Sequence, residues 1–266
     1  MSSFDPKTYW ENRLRRNFDA LGVGDDGLGR RYNEWLYRVR RTVFLRKMRQ
    51  TGLDFSRADV LDVGSGTGFY IERWQELGAR TITGVDITET AVEQLSARHP
   101  DAAFLRLDIG SGDSAALGDR RFDAISAFDV LFHIVDDDRF NQAMRTIFSL
   151  LKPGGLFIFS DNFLHGRTVR ALDQVCRSLE AIEQQVRDAG FDIVERTPMF
   201  VLMANPIDST NPLSRLRWLA TRVMIGWGDW AGNLVGAGLY PVELAAVRLL
   251  RESPTTEMML CRRPAE

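Results

Sequence analysis

The stretch that decides the fold is Val60-Leu61-Asp62-Val63-Gly64-Ser65-Gly66-Thr67-Gly68-Phe69. A short apolar run that ends in glycines is typical of a buried parallel strand entering a tight turn. The helix that follows such a turn offers free N–H groups at its N-terminus, and open α/β sheets bind their ligands there. The stretch therefore predicts a strand with a ligand site at its carboxyl end.

Strand-like and helix-like segments alternate on the C-terminal side of this stretch. Besides the strand at 59–64, we predict strands over 81–86, 102–109, 121–131, 156–161, 191–203 and 255–263. Helices are predicted over 69–78, 88–99, 136–151 and 175–190, and residues 152–155 form a turn. Strands that alternate with helices indicate an α/β fold with a parallel sheet.

The segments on either side of this core are predicted to be helical. Helices over 7–21 and 30–50 are separated by a glycine-rich loop, and the roughly 50 residues between the last two strands are too long for a hairpin loop. We predict a helical arm (1–56) that covers cofactor or substrate, the core (57–202), a helical insertion that caps the substrate (203–253), and a last strand with a tail (254–266). Five of the six tryptophans lie in the arm and the insertion, where they either bury these segments or wall a substrate pocket.

The composition is that of an ordinary folded protein, with 44% apolar and 26% charged residues and a net charge of -2. It excludes a disordered chain and gives no overall sign of nucleic-acid binding. Residues 1–49 carry 12 Lys and Arg against 6 Asp and Glu, which is either a basic arm for an anionic partner or a set of solvated helix faces. Two cysteines without metal-ligand spacing, no apolar leader and no apolar run of about 20 residues predict a cytoplasmic protein without stable membrane insertion.

Three carboxylates are predicted at strand ends that face one crevice: Asp62, Asp86 and Asp108. Asp86 closes the second strand, where a carboxylate can accept hydrogen bonds from both hydroxyls of a ribose. A dinucleotide-binding turn would have glycine at Phe69, and three carboxylates disfavour a pyrophosphate. The site therefore favours a cationic ligand such as a sulfonium over a nicotinamide dinucleotide.

An ordered motif series carries a resemblance to a known family. The segments VLDVGSGTGFY, GVDIT, LRLDIG, FDAISAFDVLFHI and LLKPGGLFIFSD resemble those of class I S-adenosylmethionine-dependent methyltransferases of the small-molecule branch. The resemblance covers roughly 58–200 and 255–263. It implies a Rossmann-like, seven-stranded, mostly parallel sheet with an antiparallel final strand, S-adenosyl-L-methionine as cofactor and a small-molecule acceptor.

Position by position, the resemblance also implies cofactor contacts on the methionine side. Gly64, Ser65 and Gly66 would lie under the methionine part, with Asp62 near its amino group. Phe128, at the end of the fourth strand, would flank the sulfonium region or belong to the core.

On the adenosine side, the resemblance implies that Asp86 holds the ribose and that Ile87 packs on the adenine. Asp108 would accept a hydrogen bond from the adenine amino group, with Ile109 beside it. From the sequence, Asp108 can equally be a turn residue, and Ile109 can be part of the core.

An alcohol acceptor needs a base to remove its proton, and a histidine at the crevice is the first candidate. We predict His133, which follows the fourth strand, as the catalytic residue; His165 and Asp129 are the alternatives. Asp136, Asp137 and Asp138 either begin a helix or hold a divalent metal, and we predict no metal because a helix N-cap explains the run.

We predict O-methylation of a hydroxyl on a saccharide, a glycan or a specialised metabolite. The alternative is C- or N-methylation of an aromatic natural product. Nucleic-acid methylation is disfavoured because no Asn/Asp-Pro-Pro-aromatic segment follows the fourth strand. The oligomeric state stays open, including a homodimer through the late helices.

Overall fold

The computed structural model describes residues 4–265, without the side chains of Ala20 and Asp26. Met1–Ser3, where the predicted arm starts, and Glu266, where the predicted tail ends, lie outside the described residues.

Seven of the nine strands in this part of the chain form one sheet. The strands are β1 (Asp59–Val63), β2 (Thr81–Asp86), β3 (Ala103–Arg106), β4 (Phe122–Ala127), β5 (Leu151–Asp161), β6 (Val169–Arg170), β7 (Val175–Cys176), β8 (Asp192–Pro198) and β9 (Glu257–Arg262). The main sheet has the order β3-β2-β1-β4-β5-β9-β8, and β6 pairs with β7 alone. β9 is antiparallel to both of its neighbours, whereas the other pairs in the main sheet are parallel. The predicted seven-stranded Rossmann-like fold with an antiparallel final strand is confirmed.

The α-helices cover both faces of the sheet and the two flanking segments. They are α1 (Pro6–Arg16), α2 (Ala20–Val23), α3 (Gly29–Gln50), α4 (Phe69–Leu77), α5 (Glu89–Arg98), α6 (Asp137–Leu150), α7 (Leu179–Asp188), α8 (Pro212–Ile225) and α9 (Asp229–Leu249). Helix α4 connects β1 to β2, α5 connects β2 to β3, and α6 connects β4 to β5. Because these strands are parallel, the carboxyl ends of β1, β2 and β4 meet at one edge of the sheet.

Local sequence signals place the ends of the core helices as predicted. Gly78 ends α4 in the left-handed conformation, which glycine adopts without steric cost. The side chains of Thr88 and Asp136 accept hydrogen bonds from the backbone N–H groups of Ala91 and Arg139, and so cap α5 and α6.

Several element boundaries differ from the prediction. The strand predicted over 191–203 ends at Pro198, and the strand predicted over 121–131 ends at Ala127, so Phe128 follows it. The helix predicted over 7–21 is broken, because Asn17 is extended and the Asp19 side chain starts a new helix. The strand predicted over 102–109 ends at Arg106, and residues 152–155 continue β5 rather than form a separate turn. Residues 175–176 pair as β7, so the helix predicted from 175 begins only after its N-cap, Ser178.

The segment between β8 and β9 packs against α3 on the outside of the core. Gly236 of α9 lies so close to Trp35 that a Cβ there would come within 2.3 Å of the indole ring. The fully buried Glu243 carboxylate accepts hydrogen bonds from the N–H groups of residues 201, 202 and 203. These contacts fix α9 to α3 and to the end of β8. In residues 4–265, no helix combines the length and the apolar character that crossing a bilayer requires.

Candidate active site

A cavity of about 860 Å³ lies where β1, β2 and β4 end. Its walls come from the turn after β1, the residues that follow β2, β3 and β4, helix α3 and the N-terminal arm. It therefore occupies the edge at which open α/β sheets bind ligands. Of the residues predicted from the sequence, the cavity brings together His133 and every predicted cofactor contact except Asp62.

The turn after β1 contains three glycines with positive φ, of which the third, Gly68 (φ 90°), precedes α4 as its N-cap. Gly64 and Gly66 have φ values of 71° and 51°. The Gly64 N–H donates to the Val85 carbonyl oxygen at 2.7 Å, and the Gly66 N–H donates to Asp86 Oδ2 at 2.9 Å. A Cβ at Gly64 would come within 2.2 Å of Val130 Cγ2. The turn therefore requires glycine both for its backbone conformation and for the approach of Val130.

Asp86 presents a carboxylate at the floor of the cavity. It is 8% exposed, and its Oδ1 accepts from the Thr88 N–H at 2.9 Å and from Thr88 Oγ1 at 2.7 Å. Burial raises the pKa of Asp86, while these bonds and the one from Gly66 oppose the rise. The side chain is thus held in a fixed orientation beside the glycine turn.

Asp62 lies beneath the turn and is absent from the cavity wall. Its Oδ1 accepts from Ser126 Oγ at 2.6 Å, and Ser126 Oγ in turn accepts from Trp74 Nε1 at 2.9 Å. Burial raises the pKa of Asp62 to about 7, and the bond from Ser126 opposes that rise. The expected contact between Asp62 and the amino group of a ligand is not a cavity contact in this structure.

Two branched aliphatic residues and one carboxylate line the far end of the cavity. Ile87 follows β2, while Ile109 and Asp108 follow β3. Asp108 accepts from the Gly110 N–H at 3.0 Å and from Arg139 Nη2 at 2.6 Å. It is therefore a turn residue that also faces the cavity, so the two interpretations of Asp108 are compatible.

Aromatic side chains form the wall after β4. Phe128 stacks on Tyr70 with 4.0 Å between the ring centroids, and Tyr37 packs edge-on against Phe69 at 4.8 Å. All four side chains line the cavity. Burial raises the pKa of Tyr37 to about 12, so its hydroxyl is neutral at physiological pH.

The N-terminal arm closes one side of the cavity. Trp10 and Leu14 of α1 line it, together with residues 4–7 and Val23. Glu11, on the same helix, accepts from the Glu89 N–H at 2.8 Å and from Thr90 Oγ1 at 2.5 Å. A carboxylate at the N-terminus of α5 is favoured by the helix dipole, so Glu11 fastens the arm to the core.

His133 stands between the arm and the end of β4. Its Nδ1 lies 2.8 Å from the Asp173 carbonyl oxygen, and its ring meets Trp10 edge-on at 5.0 Å. A carbonyl oxygen can only accept, so Nδ1 carries the proton and Nε2 carries the lone pair of the neutral ring. Burial lowers the pKa of His133, which keeps the ring neutral at physiological pH.

The two alternative bases are differently placed. Asp129 lines the cavity, but its carboxylate forms an ion pair with Arg40 at 2.7 Å and accepts from Ser160 Oγ at 3.0 Å. Asp129 also has a left-handed backbone (φ 59°), a strained conformation for a residue with a side chain. His165 lies outside the cavity wall and binds Asp208, with 2.5 Å between Nδ1 and Oδ2.

Two of the three aspartates at 136–138 make contacts within the fold. Asp136 caps α6, and Asp137 pairs with Arg177 at 2.8 Å. Throughout residues 4–265, no group of three or more His, Cys, Asp or Glu side chains is arranged to hold a metal ion.

Three lining or supporting residues (Tyr37, Arg40 and Tyr70) were not identified from the sequence, and Trp10 was identified only as one of five tryptophans that bury their segments or wall a pocket. Trp10 lies in α1, Tyr37 and Arg40 lie in the basic helix α3, and Tyr70 lies in α4. Their periodicity is that of residues facing a core, and nothing in one sequence distinguishes a core face from a cavity face. The only usable signal was the excess of tryptophan in the arm.

Comparison with known proteins identifies the class to which this site belongs. Residues 61–159 match a family model described as a methyltransferase domain. Residues 61–159 are therefore a methyltransferase domain, which supports the class I S-adenosylmethionine-dependent methyltransferase core that the motif series predicts.

Two curated relatives share part of the sequence. A "Probable S-adenosylmethionine-dependent methyltransferase" of Mycolicibacterium smegmatis is 31% identical over 150 residues, which are 53% of this chain and 55% of that protein. A ubiquinone biosynthesis O-methyltransferase of Brucella ovis is 33% identical over 114 residues, 42% of each chain. The chain thus spans about half, or less, of the length of the curated relatives it matches.

A solved structure extends the likeness in fold to almost the whole chain. The N-methyltransferase NodS of Bradyrhizobium japonicum, solved with S-adenosyl-L-homocysteine, aligns with a TM-score of 0.59 over 98% of this chain and 100% of its own. Sequence identity is 15%, so this comparison bears on the fold alone.

Proposed function

We propose that the protein transfers a methyl group from S-adenosyl-L-methionine to a hydroxyl group of a small molecule, either a saccharide or a specialised metabolite. The observation that carries the proposal is that one cavity joins the glycine turn, Asp86 and His133. The cavity volume of about 860 Å³ lies within the range of about 300–1,000 Å³ that small-molecule pockets span. The curated O-methyltransferase relatives support oxygen as the acceptor atom.

The residues around the turn suit the proposed cofactor. The Asp86 carboxylate has oxygens beside the cavity that can accept from vicinal ribose hydroxyls, and the aliphatic wall suits the faces of an adenine ring. We assign the methionine part to Gly64, Ser65 and Gly66, the ribose to Asp86, the adenine to Ile87, Asp108 and Ile109, and the sulfonium side to Phe128. When bound, the cofactor supplies an electrophilic methyl group whose transfer requires no acid catalyst.

Asp62 contributes from beneath the turn. Ser65 Oγ donates to the Asp62 carbonyl oxygen at 3.1 Å, and the Asp62 carboxylate is held by Ser126. We therefore assign Asp62 to positioning the turn on which the methionine part would rest.

His133 is the proposed general base. An alcohol is a weak nucleophile until its proton is removed, and the Nε2 lone pair of neutral His133 can accept that proton. The Asp173 carbonyl fixes the ring and stabilises the imidazolium that forms, since Nδ1–H continues to donate to it. Trp10 and the rest of the arm restrict the access of water on this side, which is the lid role we propose for the arm.

The test is transfer of a labelled methyl group. Extract of the producing organism is incubated with purified protein and isotopically labelled S-adenosylmethionine, and labelled products are identified by mass spectrometry. We expect one small-molecule product with the label on oxygen. His133→Ala should lower the rate constant for that product by about 10²–10⁴-fold, the usual contribution of a general base.

His165→Ala is the matched control, because it removes a histidine that lies outside the cavity wall. It should leave the rate unchanged. Equal rates for His133→Ala and the wild type would eliminate His133 as the base, while label on nitrogen or carbon would eliminate O-methylation but leave the cofactor assignment standing.

A further inference from the structure

Helices α8 and α9 expose many large apolar side chains to solvent. The exposed apolar side chains of α8 and the turn after it recur every three or four residues, and those of α9 recur at about one or two helical turns. We call this surface the outer apolar face; it consists of Leu213, Leu216, Leu219, Val223, Trp227, Trp230, Leu234, Val242 and Leu249, all exposed. Leu216 is 62% exposed, Trp227 65% and Leu249 81%.

This face is additional to the surface that fixes the two helices to the core. Trp218, Thr221 and Ile225 form the buried side of α8, and Gly236 and Val247 lie on the buried side of α9. An exposed apolar surface of this extent is uncommon on a protein without a partner there.

The charged groups next to the outer apolar face are mostly arginines. Arg215 and Arg222 are about two helical turns apart and so lie on one flank of α8, where they line a second cavity of about 450 Å³ with Asn205, Ile207 and Trp218. Arg248 and Arg251 follow at the far end of α9. The only acidic residues over 212–251 are Asp229, at the start of α9, and Glu243, which is buried and bonded to backbone N–H groups.

This pattern favours a bilayer over a second copy of the chain. A helix pair with leucine and tryptophan outward and arginine on its flank is typical of segments that lie in the plane of a membrane interface. Two copies joined through this face would bring arginines together without carboxylates to match them. A membrane that contains anionic lipids supplies both an apolar layer and negative phosphates.

We propose that the outer apolar face docks on the surface of a bilayer containing anionic phospholipid. The leucines, Val223 and the two tryptophans enter the boundary between headgroups and acyl chains to a depth of about 5–10 Å. Arg215 and Arg222 bind lipid phosphate groups at the adjoining cavity, where a guanidinium can donate two hydrogen bonds to one phosphate.

The test is co-sedimentation of the full chain with phosphatidylcholine vesicles, with and without phosphatidylglycerol. We expect binding to the anionic vesicles, weakened by added salt because arginine–phosphate attraction is screened. The double variant Leu216→Glu/Val223→Glu should abolish binding. Arg215→Gln/Arg222→Gln should weaken it by about 25-fold, since one arginine near an anionic surface contributes about fivefold.

Leu172→Glu is the matched control, because Leu172 is 73% exposed but lies in the β6–β7 segment, outside the face. It should bind vesicles as the wild type does. Two outcomes would overturn the proposal: no binding of the wild type to anionic vesicles at low salt, or equal binding by the Leu216→Glu/Val223→Glu variant. If the wild type does not bind vesicles but is a dimer in sedimentation equilibrium that this variant converts to monomer, the face is an interface between two copies of the chain instead.

Discussion

Replacing Gly64 by alanine tests the glycine turn on which the candidate cofactor site rests. Gly64 has a φ of 71°, so an alanine there must adopt a left-handed backbone, which costs about 1–2 kcal/mol. Its Cβ would also come within 2.2 Å of Val130 Cγ2 and 3.2 Å of Cγ1. Forcing extra atoms into a packed site costs about 1–3 kcal/mol. We therefore expect Gly64→Ala to lower the free energy of unfolding by about 2–5 kcal/mol.

Gly78→Ala separates the two contributions. Gly78 has a similar φ of 81°, but a Cβ there would meet nothing within 4 Å. Its cost should be the backbone cost alone, about 1–2 kcal/mol. The excess at Gly64 is then the contribution of the Val130 contact.

Urea unfolding, followed by tryptophan fluorescence, measures both variants and a cycle with Val130→Ala. Shortening Val130 removes both Cγ atoms, so Gly64→Ala in that background should cost little more than Gly78→Ala. Equal costs for Gly64→Ala and Gly78→Ala in the wild-type background, or no relief by Val130→Ala, would refute the reasoning.

Three further predictions follow from buried groups. Because burial lowers the pKa of His133 and a base must be neutral, kcat/KM should rise with pH through a midpoint below 6.5 and then stay flat; a midpoint above 6.5 would contradict this assignment. Asp62 has a pKa raised to about 7, so the native state retains a proton that the unfolded state has lost above about pH 4. From pH 5 to pH 8, the free energy of unfolding of the wild type should therefore fall by about 2–3 kcal/mol relative to that of Asp62→Asn, as measured by urea unfolding. If the two proteins show the same dependence of this free energy on pH, the raised pKa of Asp62 is contradicted. Glu243→Gln leaves at least one buried N–H of residues 201–203 without its carboxylate acceptor, and it should lower the free energy of unfolding by about 1–3 kcal/mol in thermal unfolding. Glu180 is exposed, so Glu180→Gln should leave that free energy almost unchanged.

The central sheet was predictable because its signals are local. The run before Gly64, the glycine that ends α4 and the side-chain cap at Thr88 each depend on a few neighbouring residues. Two helix boundaries were predicted wrongly because a polar side chain interrupts a periodic pattern. Asp19 starts a new helix inside the stretch predicted as one, and Ser178 delays the start of α7.

Only part of the candidate site was predictable from the sequence, namely the residues that follow the strands. The residues after β1, β2 and β3 follow from motifs, and the structure gathers them around one cavity with His133. Arg40 was missed because its partner, Asp129, is distant in sequence, and an ion pair between remote positions leaves no local pattern.

The role of the late helices could not be derived from periodicity. Both sides of α8 are apolar, so the sequence does not indicate which side is buried. Residues 203–253 contribute nothing to the wall of the large cavity. The substrate-cap role predicted for this segment remains a prediction without a cavity contact to support it.

The most direct measurement is a calorimetric titration of the purified protein with S-adenosylmethionine. We expect saturable binding of one ligand per chain. Asp86→Ala removes the carboxylate at the cavity floor and should weaken the affinity by about tenfold or more, which corresponds to about 1.4 kcal/mol. His165→Ala should bind as the wild type does. Absence of binding at millimolar ligand, or equal affinity in Asp86→Ala, would contradict the assignment of this cavity to the methyl donor.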